Sequence, residues 1–418
     1  MDSRNRHRVV VTGIGAVSCL GESAPEMWSN LVAGKSGIRR ISVYDCSGYP
    51  ITIAGEIPTF DAMPVVGRDA FNEEARHAHL AVGAAKEAAR QAGLDWENGD
   101  FDGAGVVIAN AHGRFDRTPS ILWQAMWRGP DAVDLKDYVR MSYEGPCRLV
   151  SQQLQATGPR FVISSACVSG AKAIERATRY VRRGQCEVCV VGGAEAIVDE
   201  YCTRFLHAMR ALTTHDDNPK HASRPFDRER SGFVMAEGAG IMILETLEHA
   251  KKRGANILAE VAGVGGSANA TSLYAPEEIG EGPASAMQAA LRDGGLSPDV
   301  VDCVFAHATA TDVGDPAEAR GIAMVFGDRS KGVAVTAPKG GMGHAIGASG
   351  ALAGVNCVQA IMHQAVPPIL NCDDPIEETA DLDLIRYDAQ ERKLRYVLNN
   401  AFGFGGANGT NIFTVFED

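Results

Sequence analysis

Cysteine, histidine and lysine side chains recur at strand-to-loop junctions in this chain, positions from which a fold can deliver a reactive group to a substrate. The first is Cys167, in RFVISSACVSGAKAIERATRYVRRG. A β-branched run leads into Ser-Ser-Ala-Cys, and a helical pattern begins directly afterwards. A thiol at that junction faces unpaired N–H groups and the positive end of the helix dipole, which favour the nucleophilic thiolate. For this segment alone, a buried structural cysteine is the competing reading.

His307 stands at a strand end in DCVFAHATATDVGDPAEARGIAMVFG. Asp315, Pro316 and Glu318 downstream read as an N-cap, an N1 proline and an N3 capping-box glutamate, which accounts for both carboxylates without chemistry. The segment VTAPKGGMGHAIGASGALAGVNCVQAIM repeats the arrangement: a strand, a glycine-rich loop with Lys339, then His344 near the start of a small-residue helix. Glycines 340, 341 and 343 permit close approach of a ligand or strained turns. In YVLNNAFGFGGANGTNIFTVF, Phe402 and Phe404 sit among glycines between two strands. That pattern suits an aromatic gate with a backbone oxyanion donor, or a plain β-turn with a packing aromatic.

The elements that must position these residues alternate. Strand-like runs such as RVVVTGIGAV, GAGVVIAN, CEVCVVGG and NIFTVF are interleaved with alanine-rich amphipathic stretches, the pattern of a layered α/β protein. Apolar spacing predicts helices over 76–92, 170–183, 283–293, 316–326 and 347–364. A second strand-rich half opens near residue 258, where VAGVGGSAN echoes the opening VVVTGIGAV, a faint sign of duplication. The same opening places glycines at 13 and 15, but the third comes at 21, which argues against dinucleotide binding.

A net charge of −12 argues against nucleic acid or an anionic membrane as the main partner, since each demands a basic face, though it leaves room for a local basic patch. No apolar run reaches the roughly 18 residues of a membrane span, and no secretory leader is read at the N-terminus, so a cytoplasmic protein is expected. The ten cysteines follow no framework spacing and are expected as reduced thiols. Cys186 and Cys189 form a CxxC in a strand-like run, where alternation is expected to send them to opposite faces.

Taken together, SSACVSGAKAI, HATATDVGDPAEA, KGGMGHAIGASGA and NNAFGFGGAN resemble, in this order, the motifs of β-ketoacyl synthases of the KAS II type and their polyketide relatives. SRPFDRERSGFVMAEGAGIMILETLEHAKKRGA adds a long noncatalytic match, and the resemblance spans about residues 8 to 416. It implies a thiolase-like five-layer αβαβα sandwich of two similar halves, 1–257 with the nucleophile and 258–418 with the histidines. A thiolase would share the fold, but His344 and GFGGAN count against it.

The resemblance also implies roles. Cys167 would be acylated from an acyl carrier protein, with the oxyanion held by the N–H groups of Cys167 and Phe404. Neutral His307 and His344 would stabilise the enolate formed as malonyl carrier protein loses CO₂. Lys339, paired with Glu318, would organise the histidines, with Asp315 also behind them. Thr309 and Thr311 would contact the pantetheine arm, and Phe402 would flank the site. No metal or redox cofactor is implied. Arg210, and after it Arg68, are the candidates for carrier-protein docking.

Several positions depart from the family pattern. Ala308 and Ala310 flank Thr309 where small flexible residues are usual, Pro338 precedes the lysine, and Met342 precedes Gly343-His344. His112, in ANAHGRF, stands where relatives carry an aliphatic gate to the acyl pocket. An imidazole there is costly to desolvate without a partner, so a rigid unsaturated or oxygenated chain is expected to suit it better than a saturated one. The expectation is therefore a type II polyketide pathway, a polyene-forming one included. The alternatives are housekeeping fatty-acid synthesis and a noncatalytic chain-length-factor-like subunit, which Cys167 disfavours. The stretch DYVRMSYEGP is expected near a subunit interface, in a homodimer or in a heterodimer with a chain-length factor.

Overall fold

The computed structural model describes residues 6–269 and 278–418. Its centre is one eleven-stranded sheet. In chain order the strands are β1 Val9–Ser18, β2 Gly105–Ala109, β3 Arg160–Ile163, β4 Val188–Glu195, β5 Gly238–Thr246, β6 Ala259–Ala268, β7 Cys303–Phe305, β8 Ala334–Thr336, β9 Asp383–Leu384, β10 Tyr396–Phe402 and β11 Ala407–Thr414. Their spatial order is β9-β8-β7-β10-β11-β6-β1-β5-β4-β2-β3. From β1 outward the first half runs β1-β5-β4-β2-β3; from β6 outward the second runs β6-β11-β10-β7-β8, with β9 added at its edge. Position for position the two orders are the same, so the faint echo between residues 9–17 and 261–269 marks the first strand of each half. The halves meet where β1 pairs antiparallel with β6 through Val10 and Val11 only.

The principal helices are α1 Arg76–Ala92, α2 Thr118–Arg128, α3 Gly145–Gln153, α4 Ser169–Arg182, α5 Glu200–Ala208, α6 Glu281–Gly294, α7 Gly314–Phe326 and α8 Ser349–His363. Five lie within two residues of the predicted spans. α1 packs on the outer face of β1 and β5, and α6 on that of β6 and β11. Between the two halves lie α4 and α8, each touching strands of both and packed on one another. Helix, sheet, helix, sheet, helix are the five layers of the thiolase-like sandwich.

Sequence chemistry explains the tight layers. α1 buries an alanine-rich face and ends on Gly93 in the left-handed conformation (φ 68°), which only glycine adopts at little cost. The glycines of the opening strand let α1 approach: a Cβ on Gly13 or Gly15 would stand 2.0 Å from the carbonyl oxygens of Ala88 or Ala84. Their purpose is strand-to-helix contact, not phosphate binding. α8 is buried along almost its whole length, as expected of a helix sandwiched between two sheets.

Two local expectations fail. Strand β4 begins at Val188, so Cys186 precedes it and strand alternation does not apply. Both sulfurs crowd the same spot, 3.2 Å and 3.3 Å from where a Cβ on Gly105 would be, and the thiols hydrogen-bond each other. α2 was not anticipated either. It buries none of its residues and leaves Met126 (76%) and Trp127 (73%) largely exposed. No helix among the described residues is long and apolar enough to cross a membrane.

Candidate active site

Equivalent junctions of the two halves converge on one cavity. Cys167 follows β3 and precedes α4, while Lys339 and His344 follow the matching strand β8 and precede α8. His307 follows β7, and Phe402 ends β10. The Cys167 sulfur and one ring nitrogen each of His307 and His344 all lie within 4.8 Å of one another, and all three residues are buried. They open onto a cavity of about 290 Å³ whose walls also include Thr309, Thr311, Phe233, Phe402, Phe404 and Arg210.

The loops carrying these residues are strained at non-glycine positions. Ala166, immediately before the nucleophile candidate, has φ 47°; Ala310 has φ 64°, Ile346 φ 35° and Arg210 φ 55°. Left-handed backbone costs an L-residue roughly 1–2 kcal/mol and persists where surroundings over-determine it. Ala310 is the position at which the sequence departs from a flexible residue, and the structure keeps the turn regardless. In the C-terminal loop Gly406 is obligatory: φ is 77°, and a Cβ would lie 2.5 Å from the Asn269 carbonyl oxygen.

Electrostatics set the protonation states. Burial pushes the Cys167 thiol up to about 12, opposed by Lys339 and by the backbone N–H groups of Phe404 and Cys167 itself. The expectation of a resting thiolate is thereby corrected: desolvation outweighs the helix terminus, since the sulfur is buried and α4 starts only at Ser169. Both N–H groups nevertheless face the sulfur, where they offset part of the cost of charging it. Burial, then Lys339, hold His307 and His344 well below the ordinary imidazole range, so both are neutral. His307 packs edge-on against His344 at 5.3 Å and Phe402 at 5.8 Å, with no side-chain hydrogen bond among the described residues, and His344 meets Phe233 at 5.0 Å. A neutral imidazole beside a protonated thiol can accept its proton or donate to a developing oxyanion.

A consequence follows for reactivity. Alkylation of Cys167 by iodoacetamide should accelerate about tenfold per pH unit from pH 7 to 9 without levelling, because the thiolate is the reacting form and its fraction is still rising. Peptide mass mapping of quenched samples measures this. A plateau near pH 7 would mean a resting thiolate.

The carboxylates behave differently from a capping box. The N-cap of α7 is Val313 without a side-chain bond, so Asp315 and Glu318 are not cap residues. Asp315 accepts from Phe226 N at 2.8 Å and Thr311 N at 3.2 Å. Glu318 accepts from His307 N at 2.8 Å, Ala308 N at 2.7 Å and the Asn400 side-chain amide at 3.1 Å, anchoring the first histidine's backbone. Burial raises the pKa of Glu318 and lowers that of Lys339. Each feels the other's charge, but no ion-pair contact joins them, because the carboxylate is occupied by the loop.

His112 and Arg68 are not among the cavity-lining residues. Arg68 opens the short helix Arg68–Glu73 and is exposed. His112 is mostly buried and has the partner an isolated imidazole would lack: its Nδ1 lies 3.7 Å from Glu195, a carboxylate 1% exposed. Burial disfavours its charge, but Glu195 overrides that and raises its pKa. Glu195 ends β4 and accepts from Ala111 N at 2.8 Å, His112 N at 3.3 Å and Gly347 N at 3.1 Å. The loop after β2 is thus anchored as the loop after β7 is, by a buried carboxylate. Residues that motif reading passed over are Glu195, Asn400, Ser349 and Phe233. Phe233 lies in the segment taken as a noncatalytic match, and only its place between two glycine-rich strands hinted otherwise.

Known proteins agree with this geometry. Residues 6–250 match the family model "Beta-ketoacyl synthase, N-terminal domain", and residues 258–373 match "Beta-ketoacyl synthase, C-terminal domain". The 3-oxoacyl-(acyl-carrier-protein) synthase 2 of Coxiella burnetii is 36% identical over 99% of this chain and 100% of its own length. That of Staphylococcus aureus (strain N315) is also 36% identical, over 99% and 100%. Among solved structures, the ishigamide ketosynthase/chain length factor superimposes with a TM-score of 0.90 at 31% identity, covering 99% of this chain and 100% of that one. A type II polyketide ketosynthase in complex with its acyl-carrier protein and bound to a hexaketide gives 0.89 at 29% identity, over 98% and 100%. The chain belongs to the β-ketoacyl synthase family and is a β-ketoacyl-acyl carrier protein synthase.

Proposed function

We propose that this ketosynthase extends carrier-bound chains in a type II polyketide pathway, through Cys167, His307 and His344. The observation that carries the mechanism is the meeting of one thiol and two neutral imidazoles at a single cavity. Cys167 attacks the acyl thioester as a neighbouring imidazole accepts its proton, and the N–H groups of Cys167 and Phe404 hold the oxyanion. The carrier thiol leaves with a proton. Malonyl carrier protein then enters, its pantetheine arm passing Thr309 and Thr311 with Phe402 alongside. His307 and His344 donate N–H to the thioester oxygen as the carboxylate departs as CO₂, and the enolate carbon attacks the acyl-Cys167 carbonyl. Lys339, Glu318 and Asp315 fix the histidine loops. The chemistry calls for no metal or redox cofactor, since thioester cleavage and CO₂ release drive it.

Arg210 is exposed at the cavity rim, where a local cation offsets the chain's overall negative charge toward an acidic carrier protein; Arg68 is the more distant docking candidate. The exposed apolar face of α2, with Tyr138 from DYVRMSYEGP and Phe161 on edge strand β3, suits a second chain of this fold, either a copy or a chain-length-factor-like subunit.

The pathway reading rests on His112. It is not in the cavity wall itself, but Glu195 ties its loop to the second histidine's loop through Gly347 N, and we take this polar pair to suit a rigid unsaturated or oxygenated chain. Elongation of saturated against polyunsaturated acyl carrier proteins, by the enzyme alone and with candidate partner subunits, is the test. Preference for the unsaturated or oxygenated chains is expected. Efficient partner-free elongation of long saturated chains would place the enzyme in fatty-acid synthesis.

A further inference from the structure

We infer that Ser349 is a positioning residue that fixes the tautomer of His344, donating its hydroxyl to Nδ1 so that the ring proton sits on Nε2, facing substrate. The inference rests on the catalytic reading of His344 given above.

Ser349 is the first residue of α8, buried, with Oγ 2.8 Å from His344 Nδ1. His344 Nε2 is buried and has no hydrogen-bond partner among the described residues. His307 provides the contrast: among the described residues neither of its ring nitrogens has a hydrogen-bond partner, so none of them selects a tautomer. A neutral imidazole carries one proton, and the bond made by one nitrogen decides what the other can do. If Nδ1 held the proton and donated it to Ser349, the serine proton would need its own acceptor. Among the described residues Oγ makes no other hydrogen bond, so that arrangement leaves a buried O–H unmatched. With Oγ–H donating to Nδ1, both groups are satisfied and Nε2 carries the N–H. That is the state a stabiliser of enolate oxygen requires, since a bare Nε2 lone pair would repel it.

The ring orientation is also set from this side. The His344 backbone N–H donates to Val234 O at 2.7 Å, and Phe233 and His307 flank the ring edge-on. Ser349 supplies the remaining in-plane restraint. Its hydroxyl borders a small cavity of about 20 Å³ shared with Lys339, Glu237 and Asn356. A water-sized space there is the one rival recipient for the serine proton, and the experiment separates the two arrangements.

The test combines kinetics with spectroscopy on the full chain. In ¹⁵N-histidine-labelled protein, His344, assigned by comparison with His344→Ala, should show an unprotonated Nδ1 and a protonated Nε2. Ser349→Ala should lose that bias and lower kcat for malonyl-carrier-protein decarboxylation on the order of tenfold with KM little changed. Ser349→Thr, which keeps the hydroxyl, should recover most of the rate and the wild-type tautomer. A protonated Nδ1 in the wild type, or an unaltered kcat in Ser349→Ala, overturns the inference. An inactive wild-type chain would instead defeat the catalytic reading, and the nitrogen shifts report the tautomer in either case.

Discussion

Replacing Cys167 with alanine is expected to abolish acyl-enzyme formation and lower elongation by at least about a thousandfold. Of the ten cysteines, Cys167 alone lines the cavity, and the Phe404 N–H points at its sulfur. The other nine have no such pairing of a thiol with neutral imidazoles. Intact mass after incubation with acyl carrier protein should show one acyl adduct on the wild type and none on Cys167→Ala. An adduct on the variant would refute the assignment, and Cys19 and Cys46, the two thiols that are not fully buried, would be the first places to look. The sulfur fills little volume, so the variant should fold.

His307→Ala and His344→Ala should each still form the adduct while CO₂ release from malonyl carrier protein falls on the order of 10²- to 10⁴-fold. The asymmetry follows from arrangement. The thiol's proton ends on the departing carrier thiol and can reach it without either particular imidazole, whereas the enolate oxygen draws on both N–H groups. The pH dependence has a definite sign. Burial depresses both imidazole pKa values, so the neutral forms persist as pH falls through the range where a free histidine would protonate. Wild-type CO₂ release should therefore show no limb near pH 6.5 between pH 6 and 8. Normal elongation by either variant, or a fall in rate centred at pH 6.5, would refute the roles assigned to the pair.

How far the sequence could be read differs from residue to residue, for physical reasons. Helices with apolar periodicity and glycine stops, such as α1, α6 and α7, were legible because period and termination signals agree. The convergence of Cys167, His307, His344, Phe402 and Phe404 was legible through ordered motifs, since no local rule places residues 177 positions apart in one cavity. Asp315 and Glu318 misled because a capping box and a loop anchor have the same local spelling. What distinguishes them is where the amides of residues 307 and 308 turn, a tertiary matter. Cys186 misled because strand alternation was extended two residues beyond the strand. His112 was read as lacking a partner because the carboxylate near it, Glu195, lies 83 positions away at the end of another strand. Ser349 carried no signal at all: a serine beginning a helix is ordinary until the fold brings an imidazole to it.

The matched carboxylate anchors bear on how such an enzyme changes over time. Glu195 holds the loop after β2 and Glu318 the loop after β7, corresponding turns of two halves with the same strand order. Each turn presents a histidine, His112 in one and His307 in the other, on a backbone secured independently of the side chain displayed. A substitution at position 112 therefore leaves the backbone of both turns in place. Two halves built alike can thus display different side chains at matching turns without either turn losing its backbone support.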